Sequence, residues 1–282
     1  MQVPNSSGTA RPRLHAPANA CDCHMHIYDG ARFPPLRPGA RMQPDASAAD
    51  YRLFQQRIGI SRTVVVTPAA YVTDNEVTLD AIAQLGPQAR GVAVVHPTVT
   101  DAELNRLVNG GIRGIRFTQF DPNTAATTLD MIEPLARRVE PLGWHVQIHL
   151  RADQIVAASD LLQRLPGTVV FDHLGRLKTG VSDPAFTVIR RMLDRGRTWM
   201  KLSGAYMMDK PPAYAEATTV AHAYIAATPE RVVWGSDWPH PTEADKPDDA
   251  VLFDLLNTWA PDEATRQRIL VENPAKLYGF PK

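Results

Sequence analysis

Eight short apolar runs recur along the chain, and each breaks off in a polar or glycine-containing stretch. They read ACDCHMHIY, SRTVVVT, RGVAVVHP, IRGIRF, WHVQIHL, GTVVFDHLG, TWMKLSG and RVVWGSDWPH. Most are rich in Val and Ile without strict alternation, the pattern of parallel strands covered on both faces. Amphipathic stretches separate them. One starts near Ser47 and stops at Gly59, the next starts at Thr73 or Asp74 and stops at Gly86, and a third starts at Asp101 and ends at two glycines. The rest carry similar Asp or Ser starts and Gly or Pro stops. Strand and helix alternating eight times predict a single α/β domain, a (β/α)8 TIM-like barrel. A doubly wound open sheet is the rival, but no glycine-rich phosphate loop follows the first strand. Residues 30–47 form a Pro-rich loop after strand one and are expected to act as a lid.

The domain is expected to span residues 20–282. Residues 1–19, rich in Pro, Ser and Asn, are expected to be mobile or draped over the surface. Thirty basic residues balance thirty acidic ones, so no global charge draws the chain to nucleic acid or a membrane. Cys21 and Cys23, the two cysteines, are one residue apart, where a disulfide would be badly strained. With no signal-like leader and no membrane-length apolar run, a soluble cytoplasmic protein is expected. The oligomeric state is left open.

In such a barrel the chemistry gathers at the C-terminal strand ends. Strand one ends in His24 and His26, which alternation places on one face with Asp22, leaving Cys21, Cys23 and Met25 to pack outward. Later strands bring Thr67 and Tyr71, then Arg113 and Arg116, then His145, Gln147 and His149. Asp172 and His173 follow, then Lys201, Ser203 and Tyr206, and finally Asp237, Trp238 and His240. His24, His26, His149, His173 and Asp237 should meet at one mouth, and so many titratable groups point to catalysis. Lone histidines such as His96, His145 and His222 are read as structural, and Lys201 as an ion-pair partner.

CDCHMH, FDHLG, KLSGAY, VVWGSDWPHP and VENPAKLYGF together resemble the amidohydrolase superfamily, in particular its lactone-processing branch. The resemblance runs from about residue 18 to the C-terminus. It implies that Asp237 activates water while His24, His26 and His173 polarise a lactone carbonyl. It implies Arg116, with Arg113, as the anchor of a substrate anion and Trp238 and His240 as residues that shape the pocket, while Thr67, Tyr71, Gln147 and Tyr206 are expected there from their places at the strand ends. No basic residue occurs in FTQFDPN after the strand-four arginines, which argues against a dicarboxylate. Two versions stay open: no metal at all, or one divalent ion, zinc first, on His24, His26, His149 and Asp237. The expected partner is a small anionic or polyhydroxy lactone. A lactone isomerase and a metal-dependent decarboxylase are the alternatives.

Overall fold

Each Val- and Ile-rich run becomes a strand. The computed structural model describes residues 1–37, 39–121, 125–211 and 213–281. Pro38 of the expected lid, Pro122 and Asn123 of FTQFDPN, Pro212 and Lys282 therefore lie outside the described residues. The strands are β1 (Cys21–Met25), β2 (Arg62–Val66), β3 (Ala89–Ala93), β4 (Ile112–Thr118), β5 (His145–His149), β6 (Val169–Phe171), β7 (Thr198–Leu202) and β8 (Val232–Trp234). They form one sheet in sequence order, and every neighbouring pair is parallel. The seam between β8 and β1 is bridged beyond the strand ends. Asp237 N donates to His24 O and His26 N to Trp238 O, both at 2.8 Å. The result is the expected (β/α)8 barrel. Among the described residues no helix is long and apolar enough to cross a membrane.

Two hydrophobic clusters divide the sheet. The outer one joins one face of the strands to the helices. The inner one fills the barrel with Val64, Val66, Val92, Val170 and Val233, and Tyr278 and Phe280 from the C-terminus pack into it. Cys21 and Cys23 belong to this inner cluster, so the expectation that the thiols face the helices is corrected. The reason is a register shift. Asp22 pairs with Thr63 and Met25 with Val65, leaving Cys23 and His24 opposite the single residue Val64. One extra residue is a β-bulge, which breaks strict alternation. Asp22 consequently points outward, where Tyr51 of the helix Ala48–Ile58 donates to it.

Helix starts follow cap chemistry. Ser47 caps Ala48–Ile58 in a reciprocal box with Asp50, and Gly59 stops it at φ 88°. Thr100 rather than Asp101 caps Asp101–Asn109. The helix expected from Thr73 or Asp74 begins at Glu76. Asn75, just before it, is used to strap strand ends together: it accepts from Thr67 Oγ1 and Val94 N and donates to Val94 O.

Residues 1–19, expected to be mobile or draped over the surface, contact the barrel at several points. Val3 is fully buried. Arg57 donates to Ser6, Ser7 and Ala10, and Asp254 accepts from Arg13 and from the Leu14 amide.

Asp22 holds the seam. Its carboxylate accepts from His24 N, Ser236 N, Ser236 Oγ and Tyr51 OH. Burial raises its pKa to about 6 against those bonds. Asp22→Ala would strand several buried donors, each costing roughly 1–3 kcal/mol. Urea unfolding should show a loss of about 3 kcal/mol or more; a variant as stable as the parent would remove Asp22 from this role.

Candidate active site

The bulge turns both β1 imidazoles toward the barrel mouth. Their Nε2 atoms are 3.2 Å apart, with the rings nearly perpendicular. His26 Nδ1 meets the Val66 carbonyl at 2.7 Å. A carbonyl only accepts, so Nδ1 carries the hydrogen and Nε2 is left with its lone pair. Asp237 Oδ1 lies 3.4 Å from His26 Nε2, 3.5 Å from His24 Nε2 and 3.8 Å from His173 Nε2. His173 is oriented from behind by Ser203 Oγ at 2.9 Å. Three lone-pair-bearing atoms this close call for a shared proton or a cation between them.

A divalent ion fits that set. His24, His26 and Asp237 each offer one donor atom, all mutually close, and all three residues are buried. Their spacings suit ligands about 2.0–2.1 Å from one ion. His149, the fourth expected ligand, lies outside this close group. Its ring stacks on Phe120 at 5.5 Å and meets His173 edge-on at 5.1 Å, so it forms cavity wall instead. His24, Asp172 and His173 form a second close group.

Below this floor a polar network fills the barrel. Asp172 Oδ2 accepts from Arg116 Nε at 2.9 Å and Gln147 Nε2 at 3.0 Å. Its Oδ1 lies 3.2 Å from His24 Nδ1 and 3.8 Å from Lys201 Nζ. Lys201 donates to Gln147 Oε1 at 2.7 Å. The sequence marked Asp172 only as a strand-end carboxylate, yet it joins Arg116 to His24.

A cavity of about 530 Å³ opens above. Of the predicted site residues, His26, Thr67, Arg116, His149, His173 and Asp237 line it, and His24 lies just beneath. The others fall elsewhere. Gln147 is under the floor. Tyr71 turns its hydroxyl to Asp29 N, while its neighbours Ala70 and Val72 reach the cavity. Arg113 lies toward the other end of β4 and donates to Val108 O and Ile112 O. Trp238, adjacent to Asp237, faces the opposite way, packs on Tyr51 and Phe54 and donates to Pro4 O. Tyr206 donates to Asp237 Oδ2, and His240 stands behind Tyr206. Sequence reasoning missed Tyr28, Arg37, Arg41 and Phe120 in the wall. The signal available was the basic content of the loop after β1.

The sequence profile described as Amidohydrolase matches residues 21–280. The chain belongs to the amidohydrolase family. It is 34% identical to a 2-pyrone-4,6-dicarbaxylate hydrolase of Comamonas testosteroni, over 95% of this chain and 93% of that one. It is 33% identical to a D-galactarolactone isomerase of Agrobacterium fabrum, over 96% and 94%. A crystal structure of an Agrobacterium tumefaciens protein in its apo state superposes with a TM-score of 0.89 at 30% identity, covering 98% of this chain and 99% of that one.

Electrostatics in this amidohydrolase favour neutral imidazoles beside ionised carboxylates. Burial pushes His24 well below its ordinary value against the pull of Asp172, and takes His173 to about 4 against Asp237. Burial would raise Asp237, but its imidazole neighbours His173, His26 and His24 outweigh it and hold it well below the usual carboxylate range. Asp172 is held low in the same way by His24, Arg116 and Lys201. Burial lowers Lys201 to about 8, with Asp172 opposing.

His145, inside β5 and outside the cavity, gives a clean pH test. Burial first and then the Lys201 charge lower it to about 3. An unfolded histidine titrates near ~6.5. Between those values the unfolded chain binds a proton that the folded chain refuses. Stability therefore falls as pH drops, by up to ~1.4 kcal/mol per unit from this residue. His145→Leu should remove about one proton from the slope of unfolding free energy against pH between roughly 4 and 6. An unchanged slope would show that His145 carries none of it.

Proposed function

We propose that this amidohydrolase is a lactonase that opens the ester bond of a small anionic or polyhydroxy lactone. The observation that carries the reading is Asp237 Oδ1, held beside three imidazoles at the floor of the cavity whose wall includes Arg116. Relatives named for a pyrone dicarboxylate hydrolase and a lactone isomerase support the same class of ring.

The chemistry needs a base for water and a stabiliser for the oxyanion. Asp237 is ionised and takes a proton from water lying over Oδ1. The hydroxide attacks the carbonyl carbon, and charge moves to the carbonyl oxygen. With Ser203 donating to His173 Nδ1, the Nε2–H of His173 points at the same space and can donate to that oxygen. Collapse breaks the bond to the ring oxygen, which recovers the proton from Asp237. General-base help contributes about 10²–10⁴-fold and an oxyanion donor about 10²–10³-fold. Arg116, fixed at Nε by Asp172, supplies positive charge for a substrate anion. A divalent ion on His24, His26 and Asp237 would supply a Lewis acid and a more acidic water.

The isomerase is the second reading, favoured by the D-galactarolactone isomerase relative. It uses a substrate hydroxyl in place of water. The test is a panel of sugar, muconolactone and pyrone lactones with a pH-indicator readout, run on metal-stripped and metal-loaded protein in ¹⁸O-water. Acid release with one ¹⁸O in the carboxylate is expected, and Asp237→Asn should lose about 10³-fold or more in kcat. Turnover without label would assign the isomerase. Silence on lactones with CO₂ release from a carboxylated aromatic would assign a decarboxylase.

A further inference from the structure

We infer that Asp249, His240 and Tyr206 form a hydrogen-bonded chain that fixes the orientation of the Asp237 carboxylate, an inference that rests on Asp237 being the base. Tyr206 OH lies 2.6 Å from Asp237 Oδ2. His240 Nδ1 is 3.1 Å from the Tyr206 oxygen, and His240 Nε2 is 3.1 Å from Asp249 Oδ1. The two rings meet edge-on at 5.1 Å. His240 and Asp249 are fully buried, and neither lines the cavity. They therefore act on the reaction through Tyr206, as positioning residues.

Counting donors gives the chain a direction. An ionised carboxylate only accepts, so the single hydrogen of Tyr206 goes to Asp237. The Tyr206 oxygen then accepts from His240 Nδ1. Asp249 Oδ1 meets Nε2 on the far side of the same ring. Tyr206 has no second hydrogen with which to serve another partner.

The backbone is shaped to make these links. Asp237 and His240 have φ of 62° and 55°, in the left-handed region that non-glycine residues seldom adopt. His240 N donates to Asp237 O at 2.7 Å. This reversal brings both side chains of one loop onto Tyr206, which comes from the turn after β7. Backbone held in that region at a site is often part of its pre-organisation. The far end is anchored as well. Asp249 N meets Ser6 Oγ at 3.4 Å, and the adjacent Asp248 pairs with buried Arg57 at 2.6 Å.

The consequence concerns a soft torsion. A carboxylate terminus turns broadly about its last bond. With Oδ2 tied to Tyr206, Oδ1 is the oxygen presented to His24, His26 and His173. Misplacing a reacting group by about 1 Å can cost roughly 10²-fold.

The test is a double-mutant cycle on whichever lactone the parent hydrolyses, with thermal melts confirming folded protein. Tyr206→Phe should lower kcat by about 10–100-fold with KM within about twofold. Asp249→Asn, nearly the same shape and still an acceptor, should cost about 3–10-fold, and Asp249→Ala more. The double variant Tyr206→Phe with Asp249→Asn should be no slower than Tyr206→Phe alone, since the chain is already cut. Crystal structures give an arm independent of turnover: the Asp237 carboxylate should be rotated or split in Tyr206→Phe and single in the parent. If no lactone is turned over, the lactonase reading fails and the crystallographic arm alone decides the chain. A Tyr206→Phe enzyme with unchanged kcat, a raised KM alone, fully additive losses, or an unmoved carboxylate would overturn it.

Discussion

Between Asp22 and Met25 the first strand holds one more residue than its partner holds between Thr63 and Val65. That single insertion governs the mouth of the barrel. Without it, alternation would put Asp22, His24 and His26 on one face. With it, Asp22 turns out to lock the β8–β1 seam, Cys23 drops into the inner core, and His24 and His26 still both face the cavity. The seam bond from Asp237 N to His24 O then fixes the Asp237 carboxylate relative to the imidazoles. Gly235 is needed at this closure, because a Cβ there would lie 2.7 Å from His24 Cβ. Position and chemistry at the site therefore share one backbone irregularity.

Buried charge at the floor is tolerable because it is connected. Asp172 alone would be costly inside a barrel. Arg116 and Gln147 bond one of its oxygens, and Lys201 and His24 approach the other. The same contacts orient the groups that face substrate: Arg116 is gripped at Nε and His24 at Nδ1. A substitution at Asp172 would release Arg116 and His24 together, since both lead back to one carboxylate.

The strands were legible because eight apolar runs carry a strong periodic signal, and parallel β/α alternation permits few topologies. The mouth residues His24, His26, His173 and Asp237 were legible from the same source, each standing at or just beyond the end of a strand. The Cys21 and Cys23 orientation was not, because a bulge leaves no mark in composition. Trp238, His240 and Tyr71 were drawn into the pocket by proximity in sequence, but adjacent residues on an extended segment face opposite sides, and a turned loop can place a residue behind its neighbour. His149 was legible by its parity, while its stacking on Phe120 was not, because that contact comes from the loop after β4. The N-terminal segment looked unstructured because its anchors are backbone carbonyls and single side chains, which composition does not record.

Hydrolysis and isomerisation of a lactone differ only in the nucleophile. On the proposed mechanism, Asp237 Oδ1 would deprotonate either water or a hydroxyl of the substrate, and the choice would fall to the wall, which would leave room for water over Oδ1 or fill that room with the ring's own hydroxyl. Here the wall is contributed by the loops after β1, β2, β4 and β8, with Tyr28, Arg37, Arg41 and Phe120 among its residues. Loops tolerate change that the strand ends cannot, because strand ends are bound into the seam and the buried network. Relatives named for hydrolysis and for isomerisation match this chain at 34% and 33% identity.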